Sequence, residues 1–295
     1  MIRKTLPRHL LRTVSLAAAL ALTSTLAAGI EPKSEITALE AASNRGNARA
    51  THELANAYRD GTGVPVDRQR ASELYTVSAA KGWAESDYAL SKFYNGRAGG
   101  EIDLARSRQY LQNAAEKGHS QAQVELAFIY LNGAGVAKNL PASFKWFDAA
   151  SRNNVILAQC MLGDFYRGGW GGVKQDHAKA LSWYRKTAEA KDRCAPKSQY
   201  ELYGSYEAGL GVQRDLATAI TWLKKSANAG SPQAQKALAV AYYRGAGVPQ
   251  DAALAKKWML KSREGVAPHD DHEHDDHDES KTPRQVPEHK HSHVH

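Results

Sequence analysis

Eight of the twelve histidines lie in the last 27 residues, in "HDDHEHDDH" (269–277) and "HKHSHVH" (289–295). His269, His272, His274, His277, His289, His291, His293 and His295 are two or three residues apart within each run, interleaved in the first with aspartate and glutamate. Neutral imidazoles so spaced can chelate Zn(II), Ni(II) or Cu(II), with carboxylates completing the shell. The segment holds Pro268, Pro283 and Pro287, many charges and almost no apolar residues. Such a chain cannot offset its ordering entropy, so disorder is expected over 264–295. A site of this kind is adaptable and exchangeable. It suits a buffer, sensor or delivery arm better than a catalytic centre, and the chain requires no cofactor on this reading.

Catalytic patterns are otherwise thin. "HELAN" (52–56) falls short of a zinc-protease HExxH because Asn56 stands where the second histidine belongs. Neither a GxSxG elbow nor a GxxxxGK[ST] loop occurs. A hydrolase is the weakest of the readings, and no enzyme is expected. His119 and His177 stand where helices begin, where capping or solvation is the expected role. Cys160 and Cys194 are the only cysteines. Either they pair as a disulfide in an oxidising compartment, or Cys160 is buried and Cys194 free.

The chain begins with a basic stretch (Arg3, Lys4, Arg8, Arg12), an apolar run from Val14 to Leu26, then Ala27, Ala28 and Gly29. That order reads as a cleavable secretory signal over 1–29. The run is short for a bilayer span of ~20 residues. Export to the bacterial periplasm is expected, with no membrane span after cleavage. The formal charge is +8. Removing the signal leaves +4, divided between a body of +10 over 30–263 and a tail of −6. A basic body suits anionic partners; export argues against nucleic acid and for an envelope protein or an anionic polysaccharide.

The elements that must carry these groups follow from a repeat. Tyr58, Tyr94, Tyr130, Tyr166, Tyr206 and Tyr242 are separated by 36, 36, 36, 40 and 36 residues. Four residues before each stands a leucine (54, 90, 126, 162, 202, 238), and eight before each Ala or Ser. These spacings put the three on one helical face. A glycine-rich turn follows in most repeats, such as "GTGV" at 61 and "GLGV" at 209. Then comes a candidate cap: Asp67, Asp103, Asn139, Asp176, Asp215 or Asp251. The second helix carries Leu74, Tyr110, Trp146, Trp183, Trp222 or Trp258, expected as repeat core. Ser120 with Gln123 suggests a capping box, and Ser231 with Pro232 a cap and first-turn pair. Six helix–turn–helix units over 46–263, preceded by a capping helix within 30–45, predict an all-α, α/α superhelical solenoid.

"ELANAYRDGTGVPVDRQRASELYTVSAAKG" and "KALAVAYYRGAGVPQDAALAKKWMLKS" resemble the SEL-one-like repeat family, relatives of the tetratricopeptide repeats. The resemblance implies an α/α superhelix that acts as a scaffold for other proteins, often in the bacterial envelope. Some secreted relatives carry a cysteine pair in every repeat and are linked to β-lactam binding. This chain lacks that pairing, so the activity is not carried over.

Places six and two residues before each tyrosine vary: His52/Asn56, Tyr88/Lys92, Val124/Phe128, Cys160/Asp164, Tyr200/Gly204 and Lys236/Val240. Each pair shares a helical face. Two readings stand: partner contacts, with His52, Asn56, Tyr88, Lys92, Asp164 and Tyr200 foremost, or packing between repeats, which suits Val124 and Phe128 equally well. Trp170, in the enlarged turn "RGGWGGVKQD", is either an exposed contact residue or folded back over the repeats. Trp83 is a second aromatic outside the pattern.

Overall fold

The computed structural model describes residues 32–97 and 102–264. The expected signal segment and the tail histidines, His269 to His295, lie outside the described residues. Thirteen helices make up the described part, an all-α superhelical solenoid. They are α1 (Pro32–Asn44), α2 (Ala48–Asp60), α3 (Arg68–Ala80), α4 (Ala84–Tyr94), α5 (Leu104–Glu116), α6 (Ser120–Asn132), α7 (Leu140–Arg152), α8 (Ile156–Gly168), α9 (His177–Ala188), α10 (Cys194–Ala208), α11 (Leu216–Asn228), α12 (Pro232–Arg244) and α13 (Ala252–Glu264). None of them is long and apolar enough to cross a membrane. After α1, even-numbered helices open a repeat and odd-numbered ones close it.

Each turn is built from the expected residues. Gly61, Gly133, Gly209 and Gly245 end their helices in the left-handed conformation, which glycine adopts without steric cost. Asp67, Asp103, Asn139, Asp176, Asp215 and Asp251 accept from the first-turn N–H groups of the second helices. The same six residues do a second job. Their own N–H groups donate to the carbonyls of Tyr58, Tyr94, Tyr130, Tyr166, Tyr206 and Tyr242 at 2.8–3.0 Å. So one residue starts the second helix and ties it to the end of the first. Ser231 caps α12 as expected. The capping box at Ser120 does not form. His119 is the cap, its Nδ1 accepting from Ala122 N–H at 3.1 Å, and Gln123 turns to the preceding helix.

Leu54, Leu90, Leu126, Leu162, Leu202 and Leu238 are all buried, as are the small residues four places earlier. The tryptophan series is not the deepest part of the core. Trp146, Trp183, Trp222 and Trp258 are half-buried, each with a lysine ammonium 4.3–5.3 Å over its ring. The deepest place is the next residue along: Tyr75, Leu111, Phe147, Tyr184 and Leu223. The apolar interior is divided into clusters strung along the chain, each shared by neighbouring hairpins. Ile36 and Leu39 of α1 close the first cluster.

Polar groups also join the hairpins. Seven residues before the tyrosine, Gln123, Gln159, Gln199 and Gln235 are buried, and each side-chain amide donates to a carbonyl at the end of the previous helix. In the second repeat Asp87 takes this place. There Lys117 donates both to Asp87 (2.5 Å) and to the equivalent carbonyl, Ala79 O (2.8 Å). An unpaired carbonyl at a buried helix end is costly. These contacts therefore favour one stacking geometry over others.

Candidate functional site

Four of the residues proposed as partner contacts come together. His52 and Asn56 on α2, and Tyr88 and Lys92 on α4, line one groove of about 330 Å³. Arg68 and Tyr75 of α3, Glu85 of α4 and His119 complete its wall. Helical spacing explains the convergence: pairs four apart on successive first helices face the same seam once the hairpins stack.

Hydrogen bonding sets the two imidazoles in opposite senses. Ser78 Oγ donates to Ala48 O at 2.7 Å, and Ser86 Oγ donates to Ser78 Oγ at 2.8 Å. The single hydroxyl proton of Ser86 is thereby used. The 2.9 Å contact between Ser86 and His52 Nδ1 must then be donated by His52. With the ring neutral, its Nε2 is left as an acceptor. Burial lowers the His52 pKa, against the pull of Glu53 and Glu85, and favours that neutral form. His119 is reversed. Its Nδ1 accepts from Ala122, so the neutral ring carries its proton on Nε2. Burial lowers this pKa as well, against Glu85 and Glu125. The His119 ring stacks on Tyr88 with centroids 4.2 Å apart. One groove thus offers an imidazole acceptor and an imidazole donor.

The remaining side chains are braced. Tyr75 donates to Asn56 Oδ1 at 2.6 Å and accepts from Arg59 at 3.0 Å. Burial pushes the Tyr75 phenol up to about 12, so it stays protonated as a donor. Tyr88 donates to Glu125 at 2.7 Å, and Lys92 forms an ion pair with the same carboxylate. Burial opposes ionisation of Glu125, but Lys92 and Tyr88 hold its carboxyl below the usual range. Arg68 and Glu85 are exposed at the rim.

The other candidates lie elsewhere. Tyr200 lines a second groove of about 470 Å³, between α10, α11 and α12, with Tyr203, Lys236 and Arg244. Val124 is buried and Phe128 packs on the buried ring of Phe147 at 5.1 Å, so here the packing reading holds. Asp164 does not reach the surface. It is 5% exposed, accepts from Tyr184 at 2.9 Å and pairs with Lys197. Both readings of Trp170 are partly met: it is 43% exposed, yet its ring meets Phe165 edge-on at 6.1 Å. It sits in the turn before α9, apart from the His52 groove.

Cys160 and Cys194 are both buried with free thiols, and Cys160 Sγ lies 3.6 Å from the hydroxyl of Ser198, one turn after Cys194 on α10. Among the described residues no group of three or more His, Cys, Asp and Glu side chains is assembled as a metal site. His119, Arg68 and Glu85 were not anticipated as groove residues. The hint for His119 was its place at a helix start, which suggested a cap but not a wall.

The Sel1 repeat profile matches the chain six times, over residues 48–83, 84–119, 120–155, 156–192, 196–231 and 232–265. A protective antigen present in uropathogenic Escherichia coli strains, displaying an SLR fold, is 33% identical over 78% of this chain and 48% of its own, with a TM-score of 0.64. The chain therefore spans about half the length of that antigen. A Sel1 repeat protein from Oxalobacter formigenes is 24% identical over 86% of this chain and 96% of its own, with a TM-score of 0.59, and supports the fold alone. No curated protein matches the chain. With six repeat matches covering well over half of its length, on a solenoid of the same kind, the chain belongs to the Sel1 repeat family.

Proposed function

We propose that this chain is an interaction scaffold of the bacterial envelope that holds a partner protein in the groove between its first two repeats. Sel1 repeat proteins generally mediate protein–protein interaction. The observation that carries the site is the convergence of His52, Tyr88, Lys92 and His119 in one braced groove. The partner segment that suits it offers a hydrogen-bond donor to His52, an acceptor to His119 and an acidic group to Arg68. Docking sites built this way combine apolar walls with a few fixed polar groups.

The test is capture of envelope proteins by the wild-type chain and by Tyr88→Ala/Lys92→Ala, with Trp170→Ala as the comparison. A species held by wild type and by Trp170→Ala, but weakened about tenfold or more in the groove variant, is the expected outcome. Equal capture by all three overturns the groove assignment. The compartment is read from the same cells. An exported chain starts near residue 30, whereas a chain retaining Met1 in the cytosol overturns the envelope location.

A second reading rests on the eight tail histidines, which stand in two close runs. In it, the tail captures Zn(II), Ni(II) or Cu(II), and the repeats dock to a transporter or metalloenzyme. Metal titration of the full chain against a chain ending at Arg263 decides it. The full chain should take up metal and the shortened one should not; equal uptake by both sinks the reading.

A further inference from the structure

The tyrosine period breaks once, with 40 residues between Tyr166 and Tyr206. One of the four additional residues enlarges the turn before α9; the others fall around the junction of α9, which ends at Ala188, and α10, which starts at Cys194 and is longer than the other first helices. This irregular seam is where the two cysteines meet. Cys160 lies inside α8 and is 1% exposed; Cys194 is 7% exposed, and its N–H donates to Asp192 Oδ1 at 2.6 Å. Cys160 Sγ also contacts Ser198 Oγ at 3.6 Å. One turn along each helix, Asp164 of α8 pairs with Lys197 of α10. Two successive turns of α8 and α10 are therefore matched, thiol to thiol and carboxylate to ammonium. Cys194 and Ser198 are one turn apart on α10, so the contact with Ser198 brings Cys160 beside both; the neighbouring thiol lowers the Cys160 pKa, helped by Lys197, while Cys160 and burial raise that of Cys194.

We infer that Cys160 and Cys194 form an intramolecular disulfide when the chain meets a thiol–disulfide oxidant. In that exchange the S–S bond of the oxidant and two S–H bonds break, and one bond forms between Cys160 Sγ and Cys194 Sγ. The two electrons and two protons pass to the oxidant, which leaves as two thiols. The bond closes a loop from residue 160 to 194 that contains all of α9 and the irregular connection. It fastens the fourth repeat to the fifth where the repeat pattern is interrupted. Since both sulfurs are buried, exchange takes place while the chain folds or while the 189–193 connection is open, and the finished bond is shielded from reductant.

The experiment uses the full chain, unfolded and reduced, then refolded with and without oxidised glutathione. After denaturation, free thiols are blocked with iodoacetamide and the peptides are mapped. The expected result with glutathione disulfide is a peptide pair joined through Cys160 and Cys194 of the same chain, with neither cysteine alkylated. The oxidised chain should melt roughly 5–15 °C above the reduced one, a difference absent from Cys194→Ser. Alkylation of both cysteines, a stable glutathione adduct on either, or a link between two chains overturns the inference.

Discussion

At His119 one ring does two jobs. It accepts one otherwise unpaired first-turn N–H of α6, that of Ala122, through Nδ1 and forms part of the groove wall by stacking on Tyr88. The capping job needs the neutral form, because protonation of Nδ1 removes the acceptor. Burial holds the folded-state pKa below the ordinary 6.5, opposed by Glu85, its own backbone and Glu125, and assisted by Lys92. His52 is lowered in the same direction. In the pH range below 6.5 the unfolded chain binds more protons at these rings than the folded chain does. The stabilisation they carry is complete above the unfolded value and is lost as pH falls through the folded one. The unfolding midpoint is therefore expected to drop between about pH 7 and about pH 5. His119→Asn keeps a capping acceptor that does not titrate there, so its midpoint should drop less. An equal drop in both proteins would refute the role of the His119 proton. Residue chemistry was only partly legible in the sequence. The spacing of His52 and Tyr88 marked a shared face, but the direction of the His52 hydrogen bond depends on Ser78 and Ser86, which reach it from other helices.

At the scale of the helix, packing overrides propensity at Gly163. Glycine inside a helix costs roughly 1 kcal/mol relative to alanine, so Gly163→Ala in α8 would be expected to stabilise the protein. The Tyr184 ring forbids it: a Cβ at Gly163 would lie 2.5 Å from Tyr184 Cε1. That ring cannot swing aside without giving up its hydrogen bond to the buried Asp164. Gly163→Ala is therefore expected to destabilise by roughly 1–2 kcal/mol, overpacking outweighing the gain in propensity. Denaturant unfolding measures it, and a more stable variant would show that α8 and α9 can separate freely. The hairpins themselves were well marked in the sequence, because a capping Asp or Asn and a left-handed Gly act within a few residues. The box expected at Ser120 failed because an imidazole one residue earlier took the cap. The tryptophan series packs on the core as expected, while the fully buried place beside it was not marked, since period alone does not separate two adjacent places on a helix.

The whole molecule gains its stability from neighbours. Each apolar cluster is shared by adjoining hairpins, and α1 closes the first of them. Stability of such an array is close to a sum of hairpin and seam terms. The buried glutamines, and Lys117 with Asp87 in their place, make each seam polar as well as apolar. These seam contacts join places in the chain about one repeat apart or less, yet no pattern search based on apolar residues would find them. The grooves are a product of the same stacking. The one bearing Tyr200 lies in a register similar to that of the His52 groove, but with Lys236 and Arg244 instead of imidazoles. The seam around Phe128, Phe147 and Phe165 is filled by rings instead.

The sequence by itself determined the hairpin, its period and the face that each variable pair occupies, since these follow from backbone geometry and local hydrogen bonds. Only the tertiary structure decided which of those pairs are surface and which are interior. Asp164 and Cys160 sit at the same repeat positions as Lys92 and Tyr88, yet are closed in because α10 begins at the irregular connection and brings Lys197 and Cys194 against α8. A repeat position sets a direction, and the neighbouring hairpin sets what lies there.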